Sequence, residues 1–565
     1  MRRWIKQGVV MVCALTLLTG CGQQENVVST EGMAESEVYN ETEKKVFEGA
    51  TVIELSDEEI MVDGNAVTED STQAVYVAHD IVFYLEGQGF TYGEGTEADE
   101  HPQTEADAHA VVHITKPGSY VVSGQLTKGQ IAIDLGEDAE EDPEAVVNLI
   151  LNGVDITCTV APAIIFYNVY ECGVAEADGA TKDVDTSAAG ANILIADGTE
   201  NNVTGSYVAR IYKSYTLNEA GTEVVDNKKL HKYDAAFYSK MSMNVNGDVS
   251  GTGVLNIIAE NEGLDSELHL TINGGNIHIK SGNDGINTNE DEVSVTTVNG
   301  GTLTIQVTGE TGEGDGIDSN GWLVINGGTV ITEACSFSGD AGIDSDMGIH
   351  INGGNVMATG NMLDRISESD QNFVVFSFAD RQKGGETYAL KNEAGEVVFT
   401  CTPENDFMYL ILSSEKLTAG TYALWCGEKQ LAASAGGMQG GMPGGFPGGQ
   451  MPEGMEIPEG MEIPEGGKMP GFNFEDGEKL DPGMIIPEGA EPPEGMELPE
   501  GVEIPGGFPG GQMPDGQRPE GDRGGFGGQG GRGPGDFGSM ESAELSTNIT
   551  IVDGGNYFSN VAVAE

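Results

Sequence analysis

Apolar and polar residues alternate in short runs along most of the chain. Val111-Val112-His113-Ile114, Ser119-Tyr120-Val121-Val122 and Val147-Asn148-Leu149-Ile150-Leu151 are examples, separated by Gly, Asp and Asn. A two-residue period bounded by turn residues predicts strands, and helix signals are few. Between residues 246 and 365 the strand patterns become periodic. An Asn-Gly-Gly step stands at Asn273, Asn299, Asn326 and Asn352, at spacings of 26, 27 and 26 residues. Each step is preceded by a strand pattern, such as Leu270-Thr271-Ile272 or Leu323-Val324-Ile325. Each is followed by another, such as Asn276-Ile277-His278-Ile279 or Thr329-Val330-Ile331-Thr332. The stretch Val295-Thr296-Thr297-Val298 is a less regular copy. A second motif recurs between them at Gly263-Leu264-Asp265-Ser266, Gly285-Ile286-Asn287-Thr288, Gly316-Ile317-Asp318-Ser319 and Gly342-Ile343-Asp344-Ser345.

A repeat of this length holds about three short strands and three turns. One such turn cannot bury its own apolar face, so successive copies must stack. Stacking at about 4.8 Å puts equivalent residues above one another. Leu270, Leu323 and Ile349 then form one inward column, and Ile272, Ile325 and Ile351 a second. Ile277, Leu303, Val330 and Val356 form a third. The repeated Asn would form a ladder at one corner, since Asn tolerates left-handed backbone and its amide bonds to the rung above and below. The pattern predicts an all-β protein built on a three-sided parallel β-helix, with β-rich first coils over 46–245 and the repeats over 246–365.

The rest of the chain reads differently. Residues 366–430, with Phe373-Val374-Val375-Phe376 and Tyr409-Leu410-Ile411-Leu412, predict a small antiparallel β-module. Residues 436–541 hold 16 of the 21 prolines, in Pro-Glu-Gly-Met-Glu-Ile units, and form a Gly/Pro/Glu/Met-rich segment expected to be disordered. Strand character returns over 542–565, which suggests that this end pairs with the folded body. At the other end, Arg2, Arg3 and Lys6 precede an apolar run from Gly8 to Leu18. The run has signal-peptide flanks and is too short to span a bilayer. Leu18-Thr19-Gly20-Cys21 looks like a bacterial lipobox, making residues 1–20 a signal and Cys21 the lipidated first residue. A tether over 21–45 follows, on the outer face of the cell membrane. Of the seven cysteines, Cys158 with Cys172 and Cys401 with Cys426 are possible pairs, and Cys335 is left over.

The formal charge is −66, with 26 Lys and Arg against 92 Asp and Glu. A basic footprint is absent, which excludes nucleic acid as a partner. Membrane contact is expected only through the N-terminal lipid. Seventeen of the carboxylates lie between Asn246 and Gly360, where Lys280 is the only Lys or Arg. In a stacked coil Asp265, Asn287, Asp318 and Asp344 share one column, and Glu262, Asp284 and Asp315 a neighbouring one. Charges one rung apart repel. Bound Ca²⁺ would neutralise them through carboxylate and carbonyl oxygens. Candidate ligands are Glu262, Asp265, Asp284, Asp315, Asp318, Asp340, Asp344 and Asp346. The alternative is that these residues serve only as solvated turn formers.

The Asp-Gly-Ile-Asp-Ser and Asn-Gly-Gly steps resemble those of secreted bacterial carbohydrate-binding proteins best known from clostridia. So do Leu149-Ile150-Leu151-Asn152-Gly153-Val154-Asp155-Ile156 and Ala235-Ala236-Phe237-Tyr238-Ser239-Lys240, and the likeness covers about residues 110–430. The resemblance implies a right-handed parallel β-helix like that of pectate lyases, bound calcium, and affinity for cellulose or polygalacturonate. Asn287 and Ala341 stand where that family more typically has an acid. Trp322 falls in an outward column with His269, as a platform for stacking sugar or as a surface aromatic under a loop. A lyase would need Arg or Lys as base beside calcium, and only Lys280 and Arg365 are at hand. A hydrolase would need a carboxylate pair, for which Asp315 with Asp318 or Asp340 with Asp344 are candidates. The expected function is non-catalytic polysaccharide binding; a lyase or hydrolase and a structural stalk are the alternatives.

Overall fold

Three ladders of short strands carry the body of the protein. The computed structural model describes residues 47–173, 177, 179–218, 220–367, 369–436 and 545–564. The expected signal and Cys21, the tether and the low-complexity stretch from 437 onward lie outside the described residues.

The first ladder has eight strands. After Val75–Ala78 it runs Ala110–Ile114, Gly129–Ile133, Ile164–Phe166, Ala235–Ser239, Glu262–Ser266, Ile286–Thr288 and Ile317–Ser319. All of these pair in parallel except the first two. The second ladder includes Ala191–Ile195, Met243–Gly247, His269–Ile272, Val295–Val298, Trp322–Ile325 and Gly348–Ile351, each parallel to the next. The third includes Glu200–Gly205, Val254–Ala259, Asn276–Ser281, Thr302–Val307, Thr329–Glu333 and Asn355–Gly360, again parallel. The chain visits the ladders in turn, so one sequence repeat adds one strand to each.

The register explains the core. Leu270, Thr296, Leu323 and Ile349 align, as do Ile272, Val298, Ile325 and Ile351. Ile277, Leu303, Val330 and Val356 align on the third ladder. All these apolar side chains are buried. Thr296 interrupts the first column with a hydroxyl, which bonds Thr288 Oγ1 at 3.0 Å inside the core. This accounts for the irregular look of its strand in the sequence.

At the corner after the second ladder, the repeated asparagines bond side chain to side chain. Asn273 Nδ2 donates to Asn246 Oδ1 at 3.0 Å, Asn299 to Asn273 at 2.9 Å, Asn326 to Asn299 at 3.0 Å and Asn352 to Asn326 at 2.9 Å. The second glycine of each step has positive φ, for example +95° at Gly275 and +82° at Gly301, a conformation in which a side chain is costly.

The stack ends by a change of pairing. Asn355–Gly360 pairs antiparallel with Phe407–Ser413, which also pairs antiparallel with Phe373–Gln382. Gly555–Val563 joins this layer parallel to Phe373–Gln382 and antiparallel to Lys429–Ala435. Phe376, Tyr388, Phe407 and Leu424 lie in a second core here.

The cysteines are all free among the described residues. Cys401 and Cys426 both align with Tyr388, on opposite sides of its strand. Two strand spacings separate their backbones, about 10 Å, beyond the roughly 7 Å a disulfide spans. This corrects the pairing suggested by their order in the chain. Burial pushes the Cys401 and Cys158 thiols up to about 12. A thermal melt should therefore be the same with and without reductant; a fall of several degrees on reduction would contradict this arrangement.

Candidate functional site

The first ladder gathers the carboxylates. Parallel pairing aligns Asp265, Asn287 and Asp318. Asp344 continues the line, its N–H donating to the Ile317 carbonyl at 2.7 Å. The neighbouring column is stitched to the main chain. Asp284 Oδ1 accepts from the Asp315 N–H at 2.6 Å, and Asp315 Oδ1 from the Ala341 N–H at 2.5 Å. One oxygen of each of these two carboxylates thus serves the backbone of the next rung.

Burial is deep where the two columns meet. Glu262 is 6% exposed and Asp265 0%. Asn287 Nδ2 donates to Glu262 Oε1 at 3.1 Å, and Asn289 Nδ2 to Asp265 Oδ1 at 2.7 Å. Their other oxygens, Glu262 Oε2 and Asp265 Oδ2, are buried with no hydrogen-bond partner, and so is Asn287 Oδ1. Leaving such atoms bare is expensive. Burial, and then the neighbouring acids, hold Glu262, Asp265 and Asp315 well above the usual carboxylate range. Burial also raises Asp284 and Asp318 to about 7 and Asp344 to about 8. One rung earlier the chain supplies its own cation: Arg210 reaches Asp234 at 2.7 Å. Between Asn246 and Gly360 the only Lys or Arg is Lys280, on the third ladder and exposed.

Two of the eight candidate ligands stand apart from these columns. Asp340 caps a turn, its Oδ2 accepting from the Gly314 N–H at 2.6 Å and from Ser338 Oγ. Asp346 is exposed. Three further acids join the region: Glu267, which follows Asp265 in the repeat as Asp346 follows Asp344, and Asp234 and Asp364, which no repeat marks. Glu267 Oε1 accepts from the Tyr238 hydroxyl at 2.6 Å, and Asp364 Oδ2 from the Ser345 N–H at 3.1 Å. Asp364 lies beyond the last repeat, so no spacing marks it.

The aromatic candidates divide. Trp322 and His269 do share an outward column, through Val295. Trp322 is half-buried, whereas His269 is only 2% exposed. His269 Nδ1 accepts from the Val295 N–H at 3.1 Å, and Gly173 packs against the other edge of its ring. His269 is thus covered by a loop from outside the repeat and is not an open sugar contact, contrary to expectation.

Among the described residues, no three His, Cys, Asp or Glu side chains already converge to hold a metal ion. The donor chemistry nevertheless fits a hard divalent cation. Glu262, Asp265 and the Asn287 amide offer oxygens from adjacent rungs, negative charge in excess, and three acceptor atoms with nothing bound.

Comparison with known proteins gives a family model that spans this part of the chain, one curated relative and one solved structure. A family model described as a carbohydrate-binding domain-containing protein matches residues 108–376. A carbohydrate-binding domain-containing protein of Acetivibrio thermocellus is 30% identical over 170 residues. That match covers 30% of this chain and 45% of the relative, so the chain spans less than half the length of the curated protein it matches. A solved polysaccharide lyase-like protein from C. thermocellum aligns over 57% of this chain and 92% of its own, with 19% identity and a TM-score of 0.31.

Proposed function

We propose that this is a polysaccharide-binding protein, lipid-anchored through Cys21 on the outer face of a bacterial membrane. In this reading calcium neutralises the carboxylate columns of its coil. The match of residues 108–376 to a carbohydrate-binding family model supports the first part. The single observation carrying the second is the set of bare buried oxygens on Glu262, Asp265 and Asn287. The coil is taken as right-handed, the hand that parallel strand connections almost always adopt. Cellulose-like and pectin-like chains are the substrates to try.

Binding without catalysis suits the acids present. Asp284 and Asp315 each spend an oxygen on the main chain, and Lys280 lies exposed on a different ladder. Calcium would supply charge neutralisation; Glu262, Asp265 and Asn287 would hold it, together with any oxygens the neighbouring rungs provide.

Pull-down on cellulose and on pectin, each with calcium and with chelator, tests the reading. Retention on at least one glycan is expected, with no unsaturated uronate and no new reducing ends released. Release of either product would make the protein an enzyme; no retention on any glycan would leave a stalk. Trp322→Ala should weaken retention about fivefold, as loss of roughly 1 kcal/mol of stacking implies. Equal retention would remove Trp322 from the contact.

A further inference from the structure

A groove of about 400 Å³ runs over the outward face of the second ladder, on a different ladder from the carboxylates. Its floor has two rows. One is Asn244, Thr271, Thr297 and Val324, which the register places in line. The other is the asparagine ladder from Asn273 to Asn352. The segment 182–187 forms one wall. It is pinned over the first rungs, where Thr186 Oγ1 hydrogen-bonds Asn244 Oδ1 and Thr271 Oγ1, each at 2.7 Å. Asn244 Nδ2 in turn donates to the Thr186 carbonyl at 2.7 Å. Asn273, Asn299 and Asn326 stay exposed.

The ladder leaves a regular set of groups facing water. An amide has two N–H donors and an oxygen with two acceptor sites. Asn299 and Asn326 each spend one donor on the rung before and one acceptor site on the rung after. One donor and one acceptor remain per rung, repeated every 4.8 Å or so. All the amides point the same way, so each bond polarises the next. A sugar hydroxyl also donates and accepts, and an extended glycan presents its hydroxyls at a regular rise.

We propose that this groove binds one extended, uncharged glycan chain running along the coil axis, its hydroxyls paired with the asparagine ladder. The inference rests on the polysaccharide-binding reading above and gives it a place and a charge class. The volume lies within the range of ligand sites. An uncharged chain is favoured over a polyuronate by the wall. Lys182 is held by Asp183 at 2.7 Å, Asp185 adds a further negative charge at the lip, and the whole chain carries −66. A polyanion would meet repulsion, because the lysine of the groove lining, Lys182, is already paired with Asp183. Trp322, two residues before Val324 on the same strand, stands on the same outward face.

The test is affinity electrophoresis of the full chain in a soluble neutral β-glucan and in polygalacturonate. Thr297→Trp fills the floor while keeping every asparagine of the ladder, and should weaken glucan binding about tenfold with an unchanged melting temperature. Thr304→Trp, on the third ladder, is the control and should bind as wild type. Asn326→Ala removes one rung of the ladder and should weaken binding at least threefold when assayed below its own melting temperature; it stands in if Thr297→Trp does not fold. Wild-type glucan binding that survives both groove variants would overturn the location. Tighter binding of polygalacturonate, blocked by Thr297→Trp, would overturn the charge class. Absence of binding to every glycan would instead sink the polysaccharide reading itself, and the groove proposal with it.

Discussion

Removing calcium is expected to lower the melting temperature, and the loss should grow as pH rises from about 4 to about 8. Buried carboxylates set both the sign and the window. Without a cation, burial holds Asp284 and Asp318 near 7 and Asp344 near 8, with Glu262, Asp265 and Asp315 also raised. In the unfolded chain the same groups release their protons near 4. Between those values the folded state binds more protons, so its stability is greatest below about 4 and declines with rising pH. A bound cation takes the place of those protons and flattens the decline. One site at a hundredfold excess over its dissociation constant contributes about 2.7 kcal/mol, or roughly 3 °C in a unit of this size. Differential scanning calorimetry at pH 5 and pH 8, in chelator and in calcium, reads the whole pattern. Asp265→Asn sharpens it: losing one buried charge should raise the melting temperature in chelator and shrink the gain from calcium. If calcium moves the melt at neither pH, the carboxylate columns are not a cation site.

Replacing Gly316 with alanine should be among the most damaging single changes in the chain. A Cβ there would lie 2.3 Å from the Gly342 carbonyl oxygen and 2.8 Å from Thr332 Cβ. The same contact repeats down the ladder. A Cβ on Gly285 would meet the Gly316 oxygen at 2.6 Å, and one on Gly263 the Gly285 oxygen at 2.5 Å. None of these glycines has positive φ, so the requirement is close approach of stacked main chains rather than an unusual backbone angle. Neighbouring rungs would have to part, at a cost of about 3 kcal/mol or more. Gly251 is the matched control, with φ +61° and nothing within 4 Å of its Cβ. Alanine there should cost only about 1–2 kcal/mol, the penalty of a Cβ in the left-handed region. Urea unfolding of the two variants compares them directly, and a Gly316→Ala loss no larger than that of Gly251→Ala would refute the packing argument.

Much of the repeat was legible because stacking is a local rule applied many times. Once Asn273, Asn299, Asn326 and Asn352 are seen at nearly equal steps, the inward columns and the amide ladder follow from chain geometry. The alignment of Asp265 with Asn287 and Asp318 follows in the same way. What escaped was contact between residues that no period relates. Arg210 answers Asp234 from a separate stretch of chain, and Gly173 closes over His269 from a loop outside the repeat. Cys401 and Cys426 look like partners by order, but the strand of Tyr388 runs between them.

The division has a physical cause. Repetition along the chain dictates which side chains pile up, because each rung meets only its neighbours and copies their register. The sequence alone therefore determined the columns, their apolar or acidic character and the excess of negative charge. Folding in three dimensions decided how far each acid is withdrawn from water, which oxygens the main chain uses, and where the 182–187 wall lies over the asparagine face. Those depend on long-range packing of unlike segments, which no local spacing encodes.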